Sequence, residues 1–273
     1  MSQHKLDPGH FYGEVLRKYQ GSGVILSEIN HKGARRLPNH AHELAFFSLL
    51  LNGAYTEHFG TSTIVYKPMT IAFHPPDFEH RDEIANGGGR FFSIELQRVW
   101  LDRLREYTGT AEISTGLHSG ELVWLAARLY RERKEFNACS PLAIEGLLLE
   151  MLAVVGGATH AREPTAPAWL SRTVDLLHGE FQRSLTLDYI SSAIGVNPLH
   201  LSRVFRKFHH RTIGDYVSRL RVQYCCRRLS ERDTPLANLA LDAGFADQSH
   251  FTRTFKRITG LTPNAFRSLL PFD

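Results

Sequence analysis

A short segment of this sequence occurs twice, fifty residues apart, and this internal repeat constrains the fold more than any other feature. Residues 199–207 read LHLSRVFRK, and residues 249–257 read SHFTRTFKR. Three residue types recur at matching places, namely His200/His250, Arg203/Arg253 and Phe205/Phe255. A repeated basic helix is typical of one small module used in tandem. DNA is the repetitive polyanion that two such modules would fit.

Each copy of the repeat follows a glycine turn and a helix-capping residue. Gly195 precedes the cap Asn197, with Pro198 at the first helical position, and Gly244 precedes the cap Asp247. The order of helix, turn and capped basic helix is the helix-turn-helix plan, in which the second helix enters the major groove of DNA. The sequence therefore predicts two helix-turn-helix units.

Both predicted recognition helices are amphipathic. Apolar residues at helical spacing are expected to face the core: Leu201, Val204, Phe205, Phe208, Phe251, Phe255 and Ile258. The opposite faces predict the DNA contacts: Leu199, Ser202, Arg203, Arg206, Gln248, Ser249, His250, Arg253 and Lys256. Arginine can pair with guanine and glutamine with adenine, whereas basic residues near helix ends more often bind phosphates. A single arginine of this kind often lies on a solvated face, but the matched pair Arg203 and Arg253 favours DNA contact.

Residues from about 185 to 267 resemble the DNA-binding domain of the AraC/XylS family of bacterial transcription regulators. The most specific part is AGFADQSHFTRTFKR at 243–257, followed by GLTP at 260–263. The resemblance implies two helix-turn-helix units joined by a long central helix, each entering a successive segment of the major groove. The chain departs from the family pattern at Ile190-Ser191, at Cys225-Cys226 and at His209-His210. The last departure predicts a differently shaped end of the first recognition helix.

Charge and linker composition divide the chain. Residues 167–273 contain 15 Lys/Arg and 9 Asp/Glu, whereas residues 1–166 contain 17 and 19. A basic segment beside a mildly acidic one is typical of a nucleic-acid binder with a regulatory domain. The predicted domains are an effector-sensing and dimerisation domain at 1–157, a linker at 158–168, and a DNA-binding domain at 169–273 with helix-turn-helix units at about 187–208 and 235–258.

The N-terminal part gives the predicted fold its α+β class. Short strands are expected from Gly23 to about Leu96, in a small barrel or sandwich, with amphipathic helices for dimerisation at 98–156. The C-terminal domain is predicted to be all-α. Asn52-Gly53 ends an apolar run and is a hairpin signal, and residues 86–89, Asn-Gly-Gly-Gly, are expected to join two strands.

Histidines in the N-terminal part form a second recognisable pattern. His40 and His42 are two apart, on one face of a predicted strand, and His80 follows 38 residues after His42. The pattern resembles a cupin, in which a His-x-His strand precedes a Pro-x-Gly-x-x-His turn, with Asp77 here in place of the glycine. The cupin resemblance agrees with the family resemblance, whose ligand-sensing domains are cupin-like.

Three imidazoles can bind Zn²⁺, Ni²⁺ or Fe²⁺, but the glutamate that usually completes a metal cupin is missing here. Phe46 and Phe47 occupy its region, and Glu43 is expected to face the other way. We therefore predict an effector pocket, or structural hydrogen bonding by the histidines, with no metal and no cofactor. The predicted pocket residues are His40, His42, Phe46, Tyr55, His80 and Phe92, and Phe73 is expected to add to the apolar lining.

The remaining sequence features restrict the function class. The sequence has no nucleophile–base signature, phosphate loop or paired-carboxylate motif, so we predict no catalytic residues and no enzyme. It has no apolar run of about 18 residues, so no membrane span is expected. Its three cysteines lack metal-ligand spacing and fit a reducing cytoplasm.

We therefore predict a cytoplasmic homodimer that binds double-stranded operator DNA in the major groove and is controlled by an unknown small-molecule effector. Two alternatives stay open. One is a metal-dependent cupin enzyme fused to a DNA-binding domain, and the other is a DNA-binding regulator whose N-terminal domain is inert.

Overall fold

The structure, a computed structural model, describes residues 4–108, 116–118, 120–160, 166–231 and 234–270. It divides into two compact units, Met1–His160 with Arg267–Asp273, and Ala161–Phe266. The N-terminal unit contains a β-sheet followed by helices, and the described part of the C-terminal unit is helical. The predicted α+β class is therefore confirmed. Residues 161–165 of the predicted linker lie outside the described residues.

The strands of the N-terminal unit form two sheets. The strands are β1 (His4–Leu6), β2 (Glu14–Gly21), β3 (Val24–His31), β4 (Arg35–Arg36), β5 (His40–His42), β6 (Ala45–Phe59), β7 (Ser62–Tyr66), β8 (Ile71–His74), β9 (Arg81–Leu96) and β10 (Gly116–His118). The larger sheet has the order β10-β8-β6-β9-β3-β2, with β4 paired to β9 and β7 to β6. β1 and β5 form a separate parallel pair, which places the N-terminal strand beside the His-x-His segment.

Two expected turns are wrong, because both lie inside the long central strands β6 and β9. These strands are antiparallel partners over most of their length. At Asn52-Gly53 the chain continues through β6 instead of turning, and the pairing register shifts by one extra residue between Leu50 and Asn52. This is a β-bulge, and Gly53 adopts the positive φ of 87°. The predicted strand-joining turn at 86–89 likewise lies within β9.

The bulge in β6 decides which side chains face the interior. Phe46 and Ser48, before the bulge, and Tyr55 and Glu57, after it, all line one cavity. Because strand residues alternate between two faces, even-numbered and odd-numbered residues of an unbroken strand would face opposite ways. The register shifts of β6 between Leu50 and Tyr55 reverse the alternation and turn Glu57 inward.

Three helices follow β9, and β10 lies between the first and the second of them. They are α1 (Arg98–Thr108), α2 (Glu121–Lys134) and α3 (Ser140–His160). The buried side of α2 contacts the sheet, where the Tyr130 hydroxyl donates a 2.9 Å hydrogen bond to Glu28. α3 extends to His160, three residues beyond the predicted end of the N-terminal domain.

The C-terminal unit is helical, and its first four helices share an apolar core. The helices are α4 (Ala168–Glu180), α5 (Leu187–Ile194), α6 (Pro198–His209), α7 (Ile213–Glu231), α8 (Leu236–Asp242), α9 (Gln248–Thr259) and α10 (Pro263–Leu269). Leu177, Ile190, Leu201 and Phe205 are fully buried in one cluster. Among the described residues, no helix has the length and apolarity needed to cross a membrane.

Candidate functional site

The first helix-turn-helix unit is formed by α5 and α6, each begun by a side-chain cap. The Thr186 hydroxyl accepts a hydrogen bond from the backbone N–H of Tyr189 at the start of α5. Gly195 ends that helix with a φ of 77°, in the left-handed region that glycine adopts without a steric cost. The Asn197 carboxamide then accepts the N–H of Leu199 at 3.0 Å, with Pro198 at the first helical position of α6.

The second unit, α8 and α9, repeats this plan with different turn geometry. Gly244 has a φ of 84°, and the N–H of Phe245 donates to the carbonyl of Ala240, which closes the end of α8. The Asp247 carboxylate accepts the N–H of His250 at 2.7 Å at the start of α9, and this bond lowers the pKa of Asp247. Gly260 ends α9 in the left-handed region.

Packing separates the two faces of each recognition helix as the sequence predicts. Leu201 and Phe205 of α6 and Phe251 and Phe255 of α9 are fully buried. The outer residues of the two apolar stripes are partly buried: Val204, Phe208 and Ile258. All nine predicted DNA contacts are exposed: Leu199, Ser202, Arg203, Arg206, Gln248, Ser249, His250, Arg253 and Lys256.

The structure brings side chains from both recognition helices to one groove of the C-terminal unit. Ser202 of α6 and His250 of α9 line this groove, together with Arg221 of the central helix α7. In the described part of the chain, neither Arg203 nor Arg253 forms an ion pair. By contrast, Arg257 of α9 is held by Asp215 of α7 at 3.1 Å. The two matched arginines therefore have guanidinium groups available to an outside acceptor.

A turn at 181–183 supports the second unit, and sequence reasoning missed it. Arg221 donates hydrogen bonds to the carbonyls of Phe181 and Arg183, at 2.8 and 2.7 Å. The Gln182 side chain donates to the carbonyl of Asp242, at the end of α8. An added Cβ at Gly244 would lie 2.2 Å from the Gln182 carbonyl oxygen, so the turn of the second unit packs directly on this segment.

The N-terminal unit contains a cavity of about 50 Å³ that includes most of the predicted effector residues. The predicted residues that line it are His40, His42, Phe46, Tyr55 and His80. The prediction for Phe92 is wrong, because its neighbour Phe91 faces the cavity while the Phe92 ring lies 5.2 Å from Tyr130 of α2. Phe73 does not line the cavity either, and its ring packs 4.9 Å from that of Phe47.

Glu57 and His74 line the same cavity, and sequence reasoning missed both. The His74 imidazole is hydrogen-bonded through Nε2 to Glu57 Oε1 at 2.5 Å. The Tyr66 hydroxyl donates to the other carboxylate oxygen of Glu57 at 2.7 Å. Burial acts to raise the pKa of Glu57, but the hydrogen bonds from His74 and Tyr66 outweigh it, so the net pKa is lowered. Glu57 is therefore ionised at neutral pH.

The histidines of the cavity are buried and packed on one another. The ring centroids of His40 and His80 are 4.3 Å apart, and those of His74 and His80 are 5.0 Å apart. Burial lowers the pKa of His42 to about 2 and that of His80 to about 3, with further lowering by neighbouring histidines. Both imidazoles are therefore neutral at pH 7, and each has a nitrogen available as an acceptor or a metal ligand.

Comparisons with known proteins place the C-terminal unit in a family. A family model described as a helix-turn-helix domain matches residues 190–268. The probable transcription factor PqrA of Proteus vulgaris is 36% identical over 93 residues, which cover 33% of this chain and 76% of that protein. A Streptomyces antibioticus protein described as an AraC-like transcription regulator is 28% identical over 191 residues. That match covers 66% of this chain and 62% of the relative.

Solved structures give a more distant likeness over most of the chain. A crystal structure of ToxT from Vibrio cholerae O395 aligns with 93% of this chain and 100% of its own, with a TM-score of 0.40 and 11% identity. The assignment depends on the sequence matches, together with the two capped helix-turn-helix units that they cover. This chain belongs to the AraC/XylS family of DNA-binding transcription regulators.

Proposed function

We propose that α6 and α9 read two different stretches of one operator, and that the N-terminal unit is a cupin-like sensor whose ligand alters this binding. The observation that carries the proposal is the matched placement of Arg203 and Arg253. Each is exposed and free of ion pairs in the described chain, on a helix whose first turn is fixed by a side-chain cap. An arginine so placed can bind guanine O6 and N7 in the major groove.

The side-chain chemistry of the other exposed residues of α6 and α9 suggests which part of the DNA each one contacts. Gln248 can pair with adenine, and Leu199 offers an apolar contact to a thymine methyl group. Ser202, Ser249 and His250 are hydrogen-bonding groups beside them. Arg206 and Lys256 lie towards the C-terminal ends of their helices, where basic residues contact phosphates and fix the position of the protein without reading sequence.

Control by a ligand requires two states of the protein that bind DNA differently. A ligand that prefers one state shifts the population towards it and changes the DNA affinity by the same coupling free energy. The cavity of the N-terminal unit is the proposed ligand site because polar and aromatic side chains converge there from β5, β6, β8 and β9.

The proposed homodimer uses the outer face of α3. Leu142 is 75% exposed and Leu149 is 48% exposed, and the seven-residue spacing places both on one side of the helix. Gly146 and Ala153 are exposed on the same stripe, so a second helix can approach closely. A narrow apolar stripe of large and small residues at this spacing is the pattern by which two helices pack as a pair.

The dimer is tested by sedimentation equilibrium of the full chain. Leu142→Glu combined with Leu149→Glu is expected to produce monomers, because charges would then be buried in the interface. Leu241→Glu, at a leucine of α8 that is 62% exposed, is the matched control and leaves the mass unchanged. A double variant that stays dimeric would show that the dimer interface is not this face of α3.

The regulator itself is tested by DNA affinity with and without candidate ligands. The full chain is expected to bind a selected sequence at least about 1,000-fold more tightly than random DNA of the same length. A cognate ligand changes that affinity about 5- to 150-fold, the usual range of allosteric coupling. Sugars, aromatic acids and fatty acids form the organic panel. Equal affinity for selected and random DNA would contradict the proposal, and no effect of any ligand would contradict its sensor part.

A further inference from the structure

The cavity of the N-terminal unit contains two groups of three metal-ligating side chains that share His80. One group is Glu57, His74 and His80, and the other is His40, His42 and His80. Within each group the candidate ligand atoms all lie within 4.8 Å of one another. We propose that Glu57, His74 and His80 bind one divalent transition-metal ion, of which Zn²⁺ is the probe, and that this ion is the ligand of the sensor. The second half of this statement rests on the proposed function, whereas the metal site itself does not.

The three proposed ligands come from separate parts of the sheet. Glu57 belongs to β6, His74 is the last residue of β8, and His80 directly precedes β9. Ligand atoms bound to one tetrahedral Zn²⁺ at about 2.0–2.1 Å are about 3.4 Å apart. Side-chain movements of about 1 Å therefore bring the three donors to bonding distance. A set of two histidines and one carboxylate is a known ligand combination for Zn²⁺ and Fe²⁺.

Neighbouring groups already orient the proposed ligands. His80 Nδ1 is 3.1 Å from the carbonyl oxygen of Phe78. Because a carbonyl only accepts, Nδ1 carries the proton and Nε2 keeps its lone pair. The Tyr66 hydroxyl holds the remaining oxygen of Glu57. Metal-ligating histidines and carboxylates are typically fixed by such outer hydrogen bonds.

The charge of the cavity favours a cation. The Glu57 side chain is almost fully buried and is bonded to His74. Asp82 also lines the cavity, with a side-chain oxygen 3.8 Å from His80. A buried carboxylate is tolerated when it is paired or coordinated to a metal. The alternative group, His40, His42 and His80, contains no anion, which is why we assign the ion to the group with Glu57.

The size of the cavity also favours an ion. Pockets for organic ligands of drug size are about 300–1,000 Å³. The cavity here is about 50 Å³, which is enough for an ion with one or two waters but too small for an organic effector of that size without rearrangement. His42 Nδ1 and His74 Nδ1 are buried without a hydrogen-bond partner within the described structure, so polar binding capacity in the cavity is unused.

The position of Glu57 explains why the sequence pattern predicts no metal. The glutamate that usually follows His-x-His is missing, and Phe46 stands in its region. The β6 bulge turns a different carboxylate, Glu57, into the cavity from eleven residues further along the chain. A local motif search cannot find this residue, because its direction depends on the register shifts of β6 between Leu50 and Tyr55.

The test measures Zn²⁺ binding by the full chain after chelator treatment, in competition with a chromophoric chelator. Wild type is expected to bind one Zn²⁺ per chain. Glu57→Gln and His74→Gln are each expected to weaken binding by at least about tenfold, since loss of even outer-sphere partners costs about 10–100-fold. His58→Gln is the matched control, because His58 is adjacent to Glu57 in β6 but bonds to Thr63. It should leave the affinity within about twofold of wild type.

Several results would overturn the assignment. The assignment fails if wild type binds no stoichiometric Zn²⁺, or if Glu57→Gln binds as tightly as His58→Gln. A loss with His42→Gln but not with Glu57→Gln would place the ion on the all-histidine group instead. If a variant fails to fold, zinc-edge X-ray absorption of the wild type still identifies the ligands of the ion. Two imidazoles with carboxylate oxygen support the assignment, and three imidazoles without carboxylate overturn it.

DNA affinity measured on the same samples separates the two proposals. A change of at least about fivefold on adding Zn²⁺ supports the ion as the sensor ligand. Zinc binding without any change in DNA affinity overturns that role. If an organic compound changes DNA affinity and Zn²⁺ does not bind, the metal assignment fails and the proposed function stands. If Zn²⁺ binds and DNA is bound without sequence preference, the proposed function fails and the metal site stands.

Discussion

The two helix-turn-helix units share one plan but differ in how each turn and helix end is built. Gly195 of the first unit has open space where a Cβ would be, whereas Gly244 of the second abuts the backbone of Gln182. The first recognition helix ends at His210 with a φ of 53°, a conformation that costs free energy for a residue with a Cβ. The second ends at Gly260, which adopts the same conformation freely.

The two units share their buried face and their matched arginine but differ in what surrounds each turn. The second unit is held tightly against the 181–183 turn and presents Gln248, Ser249 and His250 at the start of α9. The first unit has an open turn and presents the apolar Leu199. We therefore expect the two helix-turn-helix units to differ in stability as well as in the bases that they contact.

The largest expected difference is between alanine substitutions at the two turn glycines. Gly244→Ala should destabilise the C-terminal unit by about 3 kcal/mol or more, because it combines left-handed strain with a backbone clash. Gly195→Ala should cost about 1 kcal/mol, because only the strain applies. Urea unfolding followed by hydrogen exchange of peptides from α5, α6, α8 and α9 measures both. Equal losses of stability in the two variants would mean that the 181–183 segment shifts to accommodate the added methyl group. The second turn would then be no more tightly packed than the first.

The next comparison concerns the matched arginines on DNA. Arg203→Ala and Arg253→Ala should each weaken binding to the selected operator by about 1–3 kcal/mol and relax base preference, each at its own position. Fluorescence anisotropy on operators with single base changes measures this, with Arg257→Ala as a control whose partner is Asp215. Equal losses on operator and random DNA would identify Arg203 and Arg253 as phosphate contacts.

The smallest expected effect concerns the two helix ends. His210→Gly should stabilise the first unit by about 0.5–1 kcal/mol, because glycine relieves the left-handed strain that ends α6. Gly260→Ala should destabilise the second unit by a similar amount. Thermal unfolding of the full chain, with hydrogen exchange to locate the change, measures the pair. A destabilising His210→Gly would show that the imidazole contributes more than the strain costs.

Much of the C-terminal unit could be predicted because its signals are local. The caps at Thr186, Asn197 and Asp247 and the left-handed turns at Gly195 and Gly244 depend on residues within one helical turn of each other. The apolar stripes fix which face is buried, and therefore which arginines are exposed. The contact between Gly244 and Gln182 could not be predicted, because it joins segments about sixty residues apart.

The N-terminal unit was harder to predict because long strands depend on distant partners. Asn52-Gly53 has the local chemistry of a hairpin, but pairing along β9 keeps the chain extended through it. The resulting bulge reverses the alternation of β6. Strand periodicity alone therefore does not identify Glu57 as a residue of the cavity. Phe91 lines the cavity instead of Phe92, because successive strand residues face opposite sides and aromatic character alone does not tell which of the two faces inward.

The most direct test of two unequal readers is selection of bound sequences from a random DNA pool. It is carried out with the full chain, with Arg203→Ala and with Arg253→Ala. We predict an asymmetric DNA site with two distinct short sequence elements about one helical turn apart. Each variant is expected to lose selection for a different one of the two elements. A single element, two identical elements, or the same loss in both variants would contradict it.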